Sequence, residues 1–286
     1  MVTESKPEIY GFEVRAFDER ATRLRYLVGG DGPPLLLVHG FAGAASNFAV
    51  LAPLLARRHR VLVPDLPGHG GSAPLRAAPN LAVYADRVAA VAAREGVESA
   101  AVLGHSMGGV VALRLAVRRP ELVRAVVLAS AAGISTSSRV AEVFLSTVSL
   151  LKPGRRIAAF GGRIARSPRL RALAFDGLST SDGAALTEEA TLGFLSGSRL
   201  YTDIASAGRA LAREDVRLDL ERVSCPALVL WGARDKQVVV DDGFEYARRL
   251  RAPLRVIADC GHLLVGERPD ACADAVERFL DGLERP

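Results

Sequence analysis

Hydrophobic positions along the chain gather into short continuous runs, separated by turn-rich segments and by stretches of helical periodicity. Leu35-Leu36-Leu37-Val38, Val61-Leu62-Val63, Ala101-Val102-Leu103, Val126-Val127-Leu128 and Ala227-Leu228-Val229-Leu230-Trp231 are such runs, with Leu254-Arg255-Val256-Ile257 a weaker one. Apolar residues on successive positions, over so short a length, suit strands buried on both faces of a sheet. Residues 8–17 and 21–29 read as two opening strands joined in a hairpin. Between the strands, 46–56, 80–95, 109–118 and 267–283 carry helical patterns, and Asp241 and Asp242 read as caps opening one more helix. This alternation predicts an α/β fold whose mostly parallel sheet is covered on both faces.

The rhythm breaks between 134 and 210, where no strong buried strand occurs. Val140, Val143, Phe144, Thr147, Val148 and Leu151 fall at helical spacing, so 140–151 reads as an amphipathic helix closed by Pro153-Gly154. The division that follows is a sheet core of residues 1–133 and 211–286, interrupted by a helical insertion of residues 134–210.

Composition narrows the function classes. A length of 286 residues suits one α/β domain carrying an insertion, and 49% hydrophobic with 24% charged residues is ordinary for a protein with a sizeable core. No apolar run reaches the roughly 18 to 20 residues of a membrane span. The first residues lack the pattern of a secretory signal, so the expected location is cytoplasmic. The three cysteines, Cys225, Cys260 and Cys272, are odd in number and scattered, which argues against a disulfide framework and against a zinc site. No metal and no organic cofactor is expected. The net charge of +5 rests on arginine, with Lys6, Lys152 and Lys236 the lysines, and no basic groove interleaved with aromatics is evident. Nucleic acid is therefore not an expected partner, whereas a small molecule is, and assembly into a homo-oligomer stays open.

The chemistry concentrates at strand ends. Gly104-His105-Ser106-Met107-Gly108 matches G-x-S-x-G, in which a serine sits on a sharp turn and the glycines prevent steric clash. In a chain with 27 glycines the match is weak alone. Its setting, after a buried strand and at the start of a helix, gives it weight. A serine hydroxyl needs a base within reach, and of the five histidines only His262 follows the last predicted strand. It stands at the sheet edge where ligands of such folds bind. Asp235, four residues beyond Trp231 at another strand end, is the candidate to orient that imidazole. Asp259 lies too near His262 along the chain, and Asp65 comes too early in the order. For an oxyanion, the backbone N–H of Met107 and that of Phe41 in the loop after His39-Gly40 are the candidate donors.

Leu36-Leu37-Val38-His39-Gly40-Phe41, Asp65-Leu66-Pro67-Gly68-His69-Gly70-Gly71-Ser72, Gly104-His105-Ser106-Met107-Gly108-Gly109, Trp231-Gly232-Ala233-Arg234-Asp235 and Cys260-Gly261-His262 resemble, in this order, the hallmark segments of the α/β-hydrolase superfamily. The resemblance implies an eight-stranded, mostly parallel sheet with a helical cap over the site, the cap falling on 134–210. Serine at the elbow separates the chain from the haloalkane dehalogenase and epoxide hydrolase branches, which carry aspartate there. Within the serine branch it resembles carboxylesterases, and also carbon–carbon bond hydrolases of ring-fission products. The latter often have a small polar residue after His-Gly and a tryptophan after the catalytic histidine, where this chain has Phe41 and Leu263. The expected reaction is hydrolysis of small to medium carboxylic esters through an acyl-enzyme. Carbon–carbon hydrolysis, or lactonase, acyltransferase or perhydrolase chemistry on the same three residues, is the alternative. Lys152, Arg155, Arg156, Arg163, Arg166, Arg169 and Arg171 lie in a stretch free of acidic residues, and either form a solvated outer face or attract anions.

Overall fold

Side-chain alternation within the apolar runs sets the layers. Leu35 and Leu37, Ala101 and Leu103, Val127 and Ala129, and Leu228 and Leu230 enter one core cluster; Leu36 and Val38, Val102, Val126 and Leu128, and Val229 and Trp231 enter the other. Each cluster occupies one face of the sheet, so neither face can be polar and the runs are apolar throughout. The computed structural model describes residues 9–75, 80–135, 157–200 and 203–284.

The strands are β1 (Glu13–Glu19), β2 (Thr22–Gly29), β3 (Pro34–Val38), β4 (Arg60–Pro64), β5 (Ala100–His105), β6 (Val123–Ala129), β7 (Ala227–Gly232) and β8 (Leu254–Ile257). They form one eight-stranded sheet in the order β1-β2-β4-β3-β5-β6-β7-β8. β1 and β2 are an antiparallel hairpin and β2 runs antiparallel to β4, whereas every pairing from β4 through β8 is parallel. Leu36 thus sits opposite Val102 and Leu103 opposite Val127, which brings the C-terminal ends of β3, β5, β6, β7 and β8 to one edge.

The helices described are α1 (Ala52–Leu55), α2 (Leu81–Arg94), α3 (Met107–Arg118), α4 (Gly161–Arg166), α5 (Pro168–Phe175), α6 (Glu188–Leu200), α7 (Ile204–Ala212), α8 (Val240–Leu250), α9 (Leu264–Glu267) and α10 (Pro269–Leu283). Between β6 and β7 the described residues contribute helices and no strand to the sheet. No described helix is long and apolar enough to cross a membrane.

Several boundaries differ from the sequence expectation for local reasons. The first strand begins at Glu13, because Gly11 at φ 78° makes a turn just before it. The helix expected over 46–56 is a 3₁₀ turn, Ala45–Phe48, followed by one-turn α1; Pro53 lacks the N–H needed to continue a helix and instead starts one. The final helix is interrupted at Arg268, since the residue before Pro269 is driven out of the helical region, here to φ −137° and ψ 56°. Asp242 does not cap α8. Val239 occupies that position, and the buried Asp242 carboxylate accepts hydrogen bonds from the Ser135 N–H and hydroxyl at 3.0 and 2.8 Å. The amphipathic helix expected over 140–151 lies outside the described residues.

Candidate active site

A single residue joins β5 to α3. Ser106 lies at φ 55°, ψ −119°, a left-handed conformation costly for any residue with a side chain. The turn holds because its neighbours pack too closely to relax. A Cβ on Gly104 would come within 2.2 Å of the Gly108 carbonyl oxygen, and one on Gly108 within 2.1 Å of that of Val38. The glycines therefore let α3 press against β3 and β5 while the serine projects from the bend. Its side chain lines a cavity of about 470 Å³.

His262 lines the same cavity, on the loop after β8. Its Nδ1 is 2.8 Å from Asp235 Oδ2, beyond the end of β7. The other carboxylate oxygen of Asp235 accepts the N–H groups of Gln237 and Val238, both at 2.9 Å. Burial alone would raise the Asp235 pKa, but the His262 contact and the Val238 N–H outweigh it and hold the carboxyl below its ordinary value. An ionised Asp235 can only accept, so Nδ1 carries a proton, and in the neutral ring the lone pair is on Nε2. Neither Nε2 nor the Ser106 hydroxyl has a hydrogen-bond partner among the described residues. Ser106, His262 and Asp235 are thus brought to one edge, the first two lining one cavity and the third hydrogen-bonded to the ring.

Phe41 lines the cavity from the loop after β3, next to Ala42 at φ 55°. Met107 is the first residue of α3, where N–H groups lack an intrahelical acceptor. Among the described residues, the N–H groups of Phe41 and Met107 donate to no protein acceptor. That loop is fixed from below. His39 Nδ1 donates to the Gly40 carbonyl at 2.8 Å, and its Nε2 accepts the Leu66 N–H at 3.0 Å. Burial lowers the His39 pKa to about 4, which keeps it neutral in this bridging role. Asp65, set aside as a catalytic acid from its place in the chain, pins the same region: it accepts from the Ala45 N–H, the Gly71 N–H and the Arg25 guanidinium.

Two supporting residues escaped the sequence reading. His105 Nε2 donates to the backbone carbonyl of His262 at 2.9 Å, and its ring lies 5.0 Å from the His262 ring. Burial, helped by the nearby His262, lowers the His105 pKa to about 3. The Glu267 carboxylate accepts the N–H groups of Gly261 and Ser181, at 3.0 and 2.8 Å, tying the histidine loop to the insertion. Its pKa is raised by burial, against the lowering effect of those N–H groups. Residue identity alone gave a faint signal for either: a histidine inside the elbow motif, and an acid shortly after His262.

The insertion also supplies cavity wall, through Phe175, Leu178, Ser179 and Phe194, while Lys236 and Gln237 line it from the β7 side. The helix α6 packs tightly here: a Cβ on Gly193 would lie 2.3 Å from the Ser46 carbonyl oxygen, and Ser196 Oγ bonds Ser46 Oγ at 2.9 Å. Of the basic residues noted in the insertion, Arg166 and Arg171 bond backbone carbonyls of Gly162, Ala165 and Ala184. None of the described ones lines the cavity, and Lys152, Arg155 and Arg156 lie outside the described residues. Cys260 and Cys272 are buried free thiols, the latter with its pKa pushed by burial to about 12, and neither lines the cavity.

A sheet of this order, with a serine elbow after β5 and a histidine after β8, defines a class. The family model described as alpha/beta hydrolase fold matches residues 33–269, and the chain belongs to that family. It is 33% identical over 274 residues to the dihydrolipoyllysine-residue acetyltransferase component of the acetoin cleaving system of Cupriavidus necator, covering 93% of this chain and 68% of that one. Among solved structures it is similar to a bacterial membrane phospholipase A (28% identity, TM-score 0.74, 96% of this chain and 88% of that one). It is likewise similar to an esterase of Rhodococcus sp. ECU1013 (25% identity, TM-score 0.73, 96% and 99%). Family and relatives together indicate a hydrolase.

Proposed function

We propose that this protein is a serine hydrolase that cleaves small to medium carboxylic esters through an acyl-enzyme, with residues 134–210 as a lid over its site. The observation that carries the reading is the presence in one cavity of a serine on a strained bend and an imidazole whose far nitrogen is held by a buried carboxylate. In the first half-reaction His262 Nε2 takes the Ser106 proton as Oγ attacks the ester carbonyl. Asp235 stabilises the imidazolium so formed. The Phe41 and Met107 amides, unpaired among the described residues, receive the developing oxyanion. Collapse of the tetrahedral intermediate expels the alcohol, which takes the proton from His262. Water, activated by the same nitrogen, then releases the acid.

A fluorophosphonate probe followed by esters of graded chain length tests the reading. Wild-type protein is expected to label at Ser106 and to hydrolyse esters, and Ser106→Ala to do neither. Absence of labelling on folded wild-type protein would overturn the proposal. A second reading, acyl transfer to a thiol or alcohol, is favoured by the 33% identical relative named as an acetyltransferase component. It predicts that an added acceptor diverts the acyl group from water, which product analysis reads directly. Carbon–carbon hydrolysis would instead show as cleavage of a vinylogous diketone acid by a protein inert toward aryl esters.

A further inference from the structure

We propose that Lys236 forms an anion subsite on the cavity wall, selecting substrates that carry a carboxylate at the far end of an apolar chain. This rests on the ester-hydrolase reading and names its substrate class. Among the described residues, the cavity wall is largely apolar, through Phe41, Phe175, Leu178, Phe194, Val238 and Leu263. No aspartate or glutamate lines it, and Lys236 is the one lysine or arginine that does.

The charge of Lys236 is uncommitted. It makes no ion pair or hydrogen bond with any described residue, and it is exposed. Arg234, two residues earlier, is by contrast occupied by Asp259 at 2.5 Å. Asp235 forms no ion pair with Lys236; its oxygens are engaged, one by His262 and the other by two backbone N–H groups. Those N–H groups belong to Gln237 and Val238, and the Val238 carbonyl accepts the Trp231 indole N–H at 2.9 Å. The backbone that carries Lys236 is therefore fixed on its C-terminal side, while the flexible side chain retains its reach.

A hydrogen-bond donor lines the same cavity. Ser179 lines the cavity, and its Oγ accepts the Gln237 side-chain N–H at 3.0 Å, leaving the hydroxyl proton to donate. An ammonium and a hydroxyl on a largely apolar cavity wall match a carboxylate borne on a hydrocarbon chain. A neutral ester can offer only an uncharged acceptor to either group, whereas a carboxylate gains the stronger, charge-assisted bond.

The test separates binding from turnover. Ser106→Ala protein is titrated calorimetrically with monomethyl adipate and with dimethyl adipate. The monoanion is expected to bind about tenfold tighter, a preference that shrinks as salt is added. Adding Lys236→Gln should abolish the preference, and Lys236→Arg should keep it. Equal binding of the two ligands, or a preference that survives Lys236→Gln, overturns the subsite. Turnover of the same pair by protein with Ser106 intact reads the other proposal: hydrolysis of neither, with the anion preference preserved, overturns the ester reading and leaves the subsite standing.

Discussion

In the proposed reaction Asp235 sets which nitrogen of His262 acts as the base, and this gives a sharp test at the scale of one atom. In Asp235→Asn the side-chain oxygen remains the acceptor for the Gln237 and Val238 N–H groups. The amide nitrogen then faces His262 Nδ1 and must donate, which forces the ring proton onto Nε2. The expected result is a loss of kcat on the order of 10³ to 10⁴ with fluorophosphonate labelling slowed in parallel and the melting temperature little changed. A comparable fall in melting temperature would instead assign Asp235 a structural role. His105→Leu removes the donor to the His262 carbonyl and leaves that buried acceptor unpaired, at about 1 to 3 kcal/mol. His105→Gln, which can donate again, should recover much of both stability and kcat. The convergence of Ser106, His262 and Asp235 at one sheet edge was legible in the sequence, because each follows a strand end and glycines mark the bend. His105 and Glu267 were not. Their contacts run from a side chain to a distant backbone group, and neither residue type nor spacing encodes such a bond.

At the scale of elements, helix α3 is held against the sheet by an absence of side chains. Gly108→Ala would place a methyl 2.1 Å from the Val38 carbonyl oxygen, so α3 must lift or tilt. Destabilisation of about 2 kcal/mol or more is expected, read by chemical denaturation, and labelling should fall because the bend at Ser106 shifts with the helix. The sheet was legible from its apolar runs, since burial on both faces leaves a pattern that little else produces. Helix ends were less so. Pro53 and Pro269 divided two stretches whose periodicity runs on across the break, and Asp242 turned inward to Ser135 although its position in the chain suited a cap. Periodicity reports which face is buried; it does not report where the backbone N–H is missing.

Across the whole molecule, three buried imidazoles link folding to pH. His39, His69 and His105 are held neutral with pKa values near 4, 3 and 3, chiefly by burial, against 6.5 for a free ring. Below pH 6.5 the unfolded chain takes up protons that the folded one refuses, so stability is complete above that value and is lost as pH falls toward about 4 for His39 and about 3 for His69 and His105. The slope is at most about 1.4 kcal/mol per histidine for each pH unit. Urea midpoints measured from pH 7.5 downward should therefore begin to fall just below 6.5; midpoints flat to pH 5 would contradict neutral burial.

The carbonyl of Ser179 accepts both the His262 and the Leu263 N–H, at 3.0 and 3.1 Å. A stretch of chain inserted between β6 and β7 is thereby stitched to the imidazole's own peptide. If substrates enter by a swing of the insertion at this corner, the two seams must part, and the ring loses its footing whenever the gate stands wide. Proton transfer is then confined to the shut state, without any dedicated latch. Deuterium uptake at these two amides should keep pace with gate opening, and a ligand that fills the chamber should slow both together.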